Sequence, residues 1–93
     1  MTEFRHWLIC NGKSPKVASD TIARIKRVEQ ELKISVVEEY KKDQCYQLLS
    51  LFDNTGRNEE MKKYHTSLPI GKYYLSTYKY AIKLYVSFCE TID

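Results

Sequence analysis

Hydrophobic positions along this chain recur three or four residues apart, the spacing of one face of a helix. The longest such stretch in the first half is Pro15 to Leu32. Ala18, Ile22, Ile25, Val28 and Leu32 fall to one side, while Lys16, Asp20, Arg24, Lys26, Arg27 and Gln30 fall mainly on the others. Ser14 followed by Pro15 predicts an N-cap with proline at the first helical position, and Lys33 closes the helix with a positive charge at its C-terminal end. Before it, Thr2 to Cys10 predicts a first helix, capped by Thr2, with Phe4, Trp7 and Leu8 inward and Asn11–Gly12 as its stop.

After it the pattern is less regular. Ile34 to Tyr40 contains the strand-like ISVV, but a lone strand has no partner in a helical chain. Ser35 is therefore read as a cap, with Val36, Val37 and Tyr40 as a short helical turn that plugs the core, and Lys41 to Asp43 as a polar break. Cys45 to Phe52 predicts a further helix starting near Asp43, with Cys45, Leu48, Leu49 and Phe52 inward. Asp53–Asn54–Thr55–Gly56 is the clearest turn. A small helix over Arg57 to Tyr64 follows, its acids leading and its lysines trailing in the order the helix dipole favours. Pro69 keeps His65 to Gly71 a loop. From Gly71 a turn leads into a last long helix ending at Ile92, whose apolar stripe is Tyr74 or Leu75, Tyr78, Ala81, Ile82, Tyr85, Phe88, Cys89 and Ile92. Lys72, Ser76, Lys79, Lys83, Ser87 and Glu90 form a separate polar stripe.

These elements predict an all-α fold, a small bundle of four to five helices in one domain over residues 1–93. Only three glycines and two prolines interrupt the chain, which argues against a turn-rich β fold. The formal net charge is +3, permitting nucleic acid or an acidic protein surface as partner. Its distribution is more telling: residues 1–33 hold seven Lys/Arg against four Asp/Glu, and the middle third is slightly acidic. No apolar run reaches membrane-spanning length and the start lacks a signal peptide's pattern, so cytoplasm and no membrane partner are the expectation.

Candidate chemistry is sparse. Cys10, Cys45 and Cys89 each lie in an apolar context within a predicted helix and are read as buried free thiols in a reducing compartment. His6 and His65 offer no metal-ligand spacing, and no cofactor is expected. The tyrosines of the last helix are read as core or interface aromatics. A phenol with a pKa of about 10 needs a nearby cation or base to act as a nucleophile. The Glu38–Glu39 and Glu59–Glu60 pairs point in different directions on a helix. The domain is not expected to be an enzyme by itself.

The opening Phe4–xx–Trp7–Leu8–xxx–Gly12–x–Ser14, followed by a long basic helix, resembles the N-terminal SAM-like core-binding domain of tyrosine recombinases and phage integrases. The ending Tyr74–xxx–Tyr78–xx–Ala81–Ile82–xx–Tyr85–xx–Phe88 resembles the final helix of that module, and of related domains at the front of some restriction-type nucleases and other mobile-element proteins. The resemblance covers nearly the whole chain. It implies an orthogonal bundle that clamps one side of double-stranded DNA and positions a separate catalytic domain, in the same or another chain. Carried over by position, it implies DNA contacts from Lys13, Lys16, Ser19, Arg24 and Arg27 at the front and from Lys72, Ser76, Lys79 and Lys83 on the last helix.

Two functions then compete. In the first, lysines and arginines displace counterions from phosphate; about four to six contacts give a log–log salt slope of roughly −4 to −5. Arg24 and Arg27 are the residues suited to base edges. In the second, the bundle is a protein-interaction or self-association module, because six of the eight tyrosines lie from Tyr64 to Tyr85 and tyrosine suits interfaces. Basic side chains gathered on one face favour DNA; scattered ones, with Tyr73, Tyr74 or Tyr80 exposed, favour a protein partner.

Overall fold

Ser14 accepts a hydrogen bond on its Oγ from the backbone N–H of Val17 at 3.1 Å, and Pro15 occupies the first helical position. This local chemistry starts the long second helix where the sequence predicts it. The computed structural model describes residues 1–92. Six α-helices and one 3₁₀ turn follow in order: α1 (Thr2–Cys10), α2 (Pro15–Leu32), α3 (Val36–Asp43), α4 (Tyr46–Ser50), the 3₁₀ turn (Asp53–Gly56), α5 (Glu59–Lys62) and α6 (Leu75–Ile92). No strand occurs among the described residues. The fold is an all-α helical bundle.

The two long helices pack against each other, and α1 lies against both. Ala18, Ile25, Val28 and Leu32 of α2 are buried, as are Leu75, Tyr78, Ala81, Ile82 and Tyr85 of α6. Phe4 of α1 enters an aromatic cluster, 5.4 Å from Tyr85 edge-on and 5.4 Å from Phe88, and Trp7 joins it at 5.9 Å from Phe88. Such ring pairs add about 0.5–1.5 kcal/mol beyond the area they bury. The middle of the chain closes the remaining side of this core with Val36, Leu48, Leu51, Phe52, Met61 and Leu68.

The middle departs from the sequence pattern in instructive ways. The expected polar break at Lys41–Asp43 is the last turn of α3, because its lysines complement the C-terminal end of the dipole and its acids the N-terminal end. Val37, expected inward, is exposed, while Val36 is buried in the core and Tyr40 packs against it partly buried. The chain reverses at Gln44 and Cys45, both left-handed, with φ of 59° and 64°. A β-carbon makes that region unfavourable, and the contacts at the corner hold it. Cys45 is fully buried with its Sγ on Val36 O, and Asp43 Oδ2 accepts from Gln47 N to cap α4. This corner delays the start of the expected Cys45–Phe52 helix to Tyr46, and the helix ends at Ser50. Asn58 shortens the next one: its Nδ2 donates to Leu51 O and Asp53 O while its Oδ1 accepts from Met61 N, so α5 starts at Glu59 and not at Arg57.

At the termini, Thr2 lies inside α1 and makes no cap. Tyr74 and Ile92 are exposed, so Leu75 begins the buried stripe of α6 and Cys89 ends it. Gly56 is required for both conformation and space. Its φ is +82°, and a Cβ there would stand 2.8 Å from Ile70 Cδ1 and 2.9 Å from Leu75 Cδ2.

Ile82 is fully buried at the centre of α6. Ile82→Ala is expected to lower unfolding stability by about 2–5 kcal/mol, and exposed Lys83→Ala to change it by no more than about 0.5 kcal/mol. Urea unfolding followed by circular dichroism measures both; equal effects would mean that this face of α6 is not the core.

Candidate nucleic-acid interface

Asn11 ends α1 and Gly12, at φ +91°, turns the chain so that Lys13 leaves the first helix toward α6. There its Nζ donates to Tyr80 Oη at 3.1 Å and lies 5.4 Å from the ring centroid. This contact between residues 67 positions apart joins the front basic segment to the last helix. Ser76, Tyr80 and Lys83 are spaced i, i+4 and i+7, so they share one outward face of α6. Tyr80 is half exposed and Lys83 is exposed. Lys16 is exposed at the start of α2, three residues after Lys13. Of the expected contact residues, Lys13 is therefore brought onto α6 through Tyr80, on the helix face that also carries Ser76 and Lys83.

The others are placed differently. Arg27 is committed to the protein: Nη1 donates to Tyr78 Oη at 2.7 Å, Nη2 donates to Ser67 O at 3.0 Å, and the guanidinium lies 5.6 Å from the Tyr78 ring centroid. Lys79, expected to align with Lys72 and Lys83, turns to Asp53 and pairs with its Oδ1 at 3.1 Å. Ser19 Oγ accepts from Arg5 Nη1, bridging α1 and α2. Ser76 Oγ donates to the carbonyl of Tyr73. Arg24 is half-buried and Lys72 lies exposed in the turn before α6. Among the described residues neither has a hydrogen-bond or ion-pair partner, and the same holds for Lys16 and Lys83.

Next to Arg27, Glu31 ties the loop after α5 to α2. Its Oε1 accepts from the backbone N–H and hydroxyl of Ser67 and from Thr66 Oγ1. The Ser67 backbone and side-chain hydrogen bonds, then that of Thr66, hold the Glu31 carboxyl below the usual carboxylate range, with Arg27 adding a favourable charge. None of these long-range bonds leaves a signal in local sequence periodicity; Glu31 reads there as one more polar position on α2.

Burial, with Cys89, Glu39 and Asp43 adding smaller effects, pushes the Cys45 thiol up to about 12, and burial also pushes Tyr85 up. Neither is an anion at neutral pH. Cys10, expected to be buried, is exposed. Among the described residues, no group of three or more His, Cys, Asp or Glu side chains is placed to hold a metal ion, and no helix is long and apolar enough to cross a membrane. Comparison with family models, with curated proteins and with solved structures gives no match for this chain.

Two outcomes follow from the Arg27–Glu31 brace. Arg27→Met is expected to cost about 1 kcal/mol of stability, while Arg24→Met changes it by no more than about 0.5 kcal/mol. Glu31 has a folded pKa below its ordinary 4.5, so its contribution is fully present above that value and is lost as pH falls through the folded value. Glu31→Gln should therefore be less stable than the parent at pH 7, and the gap should close as the solution is acidified through the lowered pKa of Glu31. Parallel stability–pH curves for the two proteins would show that the charge on Glu31 does not hold the loop.

Proposed function

We propose that this domain is a double-stranded DNA-binding module of the core-binding type, an orthogonal bundle that holds the phosphate backbone and positions a separate catalytic domain. The observation that carries the reading is the Lys13–Tyr80 contact, which brings the loop after α1 onto the outward face of α6. Lys16 and Lys83 flank it without acidic partners among the described residues, leaving cationic side chains available to phosphate. The orthogonal arrangement is supported by where α6 meets the front of the chain. Tyr80 meets Lys13 and Tyr78 meets Arg27. Residues two apart on α6 therefore reach both the loop before α2 and Arg27, which lies about 18 Å along α2 from Pro15, and this suits crossing helices better than parallel ones.

The contact set in this reading is Lys13, Lys16, Lys72, Ser76 and Lys83, with Arg24 as the remaining arginine able to reach a base edge. Arg27 and Lys79 support the fold, and Ser19 anchors Arg5. Four lysines on phosphate give a log–log salt slope of roughly −3 to −4.

A second reading, a protein-docking surface, is favoured by the three tyrosines that the core leaves exposed, Tyr73, Tyr74 and Tyr80. Tyr73 is 88% exposed, and its ring stands edge-on to Tyr74 at 5.7 Å, a pair of large rings that the core leaves in solvent.

Fluorescence anisotropy with a labelled random duplex of about 20 base pairs, titrated at several salt concentrations, separates the two. Micromolar binding with the slope above is expected. Lys16→Ala and Lys83→Ala should each reduce the slope by about 1, and Lys79→Ala should leave it unchanged. Absence of binding at low salt would overturn the DNA reading and direct attention to Tyr73 and Tyr74.

A further inference from the structure

The outer face of α1 carries a pair of side chains that the proposed interface does not use. Cys10 is exposed, and its Sγ lies 3.4 Å from Nε2 of His6. Four residues apart, the two stand one above the other on the same helical face. With Glu3, Trp7, Phe88 and Ile92 they line an open groove between α1 and the end of α6.

The separation suits a shared metal ion. With a Zn–S bond of about 2.3 Å and a Zn–N bond of about 2.0–2.1 Å, a tetrahedral angle at the ion places sulfur and nitrogen about 3.5 Å apart. Two ligands at i and i+4 on a helix are a recurrent way to seat zinc. The electrostatics agree. Cys10 is the last residue of α1, and the last turn of that helix has no basic residue, so the negative end of its dipole lacks a side-chain counter-charge. Glu3, one turn before His6, adds a negative charge to the same groove, and α6 contributes only the apolar Phe88 and Ile92.

We propose that His6 and Cys10 form a two-ligand site for a thiophilic divalent cation of the zinc type, with water in the remaining coordination positions. The pairing of thiolate with imidazole selects this class over magnesium or calcium. On binding, the Cys10 thiol gives its proton to solvent. The sulfur and the Nε2 lone pair of neutral His6 replace two waters of the hydrated ion, and nothing is oxidised or reduced. The cation takes the place of the proton shared between sulfur and nitrogen.

Cobalt(II) is a suitable probe, titrated into the reduced full chain while near-ultraviolet absorption is followed for a thiolate-to-cobalt charge-transfer band. The expected result is a saturable band that zinc abolishes by displacement. Cys10→Ser should remove it, and His6→Ala should weaken apparent affinity by roughly tenfold or more. Both residues are exposed, so neither variant should disturb the fold, which far-ultraviolet circular dichroism checks. No band in the parent protein, a band that survives Cys10→Ser, or unaltered affinity in His6→Ala would overturn the site.

Discussion

Helix α6 is the element against which the rest of the chain is arranged. It packs on α1, α2, α4 and the 3₁₀ turn, and its inward stripe from Leu75 to Cys89 supplies much of the core. In a domain of this size the margin between burial and lost chain entropy is small, so these contacts leave little of α6 unoccupied. What remains is the strip through Ser76, Tyr80 and Lys83. The position of any binding surface on this helix is therefore a consequence of packing: the side chains that are not needed inside are the ones left to act outside.

The same constraint redistributes charge. The acids of the middle third meet their own lysines one turn away: Glu38 with Lys41, Glu59 with Lys62 and Glu60 with Lys63. Exposed pairs of this kind contribute little to stability, but they leave that region close to neutral. The modest net charge of +3 is then weighted toward the ends of the chain. Arg27 and Lys79 are exceptions, drawn into contacts with Tyr78, Ser67 and Asp53 that tie α2 and α6 to the loops.

Much of the architecture was legible in the sequence because it follows from local rules. Ser14–Pro15 marks the start of α2, Ser35 caps α3 through Glu38 N, and the periodic stripes of α2 and α6 face the core. The errors arose where distant parts of the chain decide. The corner at Gln44–Cys45 depends on burial of the Cys45 side chain, and the late start of α5 depends on Asn58 reaching back to Leu51 and Asp53. Among the expected contact residues, hydropathy places Arg24, Arg27, Lys79 and Lys83 alike on polar faces. Only tertiary geometry separates the arginine under Tyr78 from the lysine left in solvent. The His6–Cys10 pair is the opposite case: its i, i+4 spacing is visible in the sequence, but a search for zinc-finger spacing passes over two ligands on one helix.

The division of labour between arginine and lysine has a consequence for the proposed function. Arginine's planar fork is suited to paired contacts, whether with a guanine edge or with a protein's own acceptors. Here Arg27 spends that fork on Tyr78 and Ser67, and the flexible point charges of Lys13, Lys16, Lys72 and Lys83 are what remain for a polyanion. Lysines on phosphate give affinity and register but carry no sequence information. In the proposed function such a module would hold DNA without reading its sequence, and discrimination would fall to Arg24 or to a separate domain.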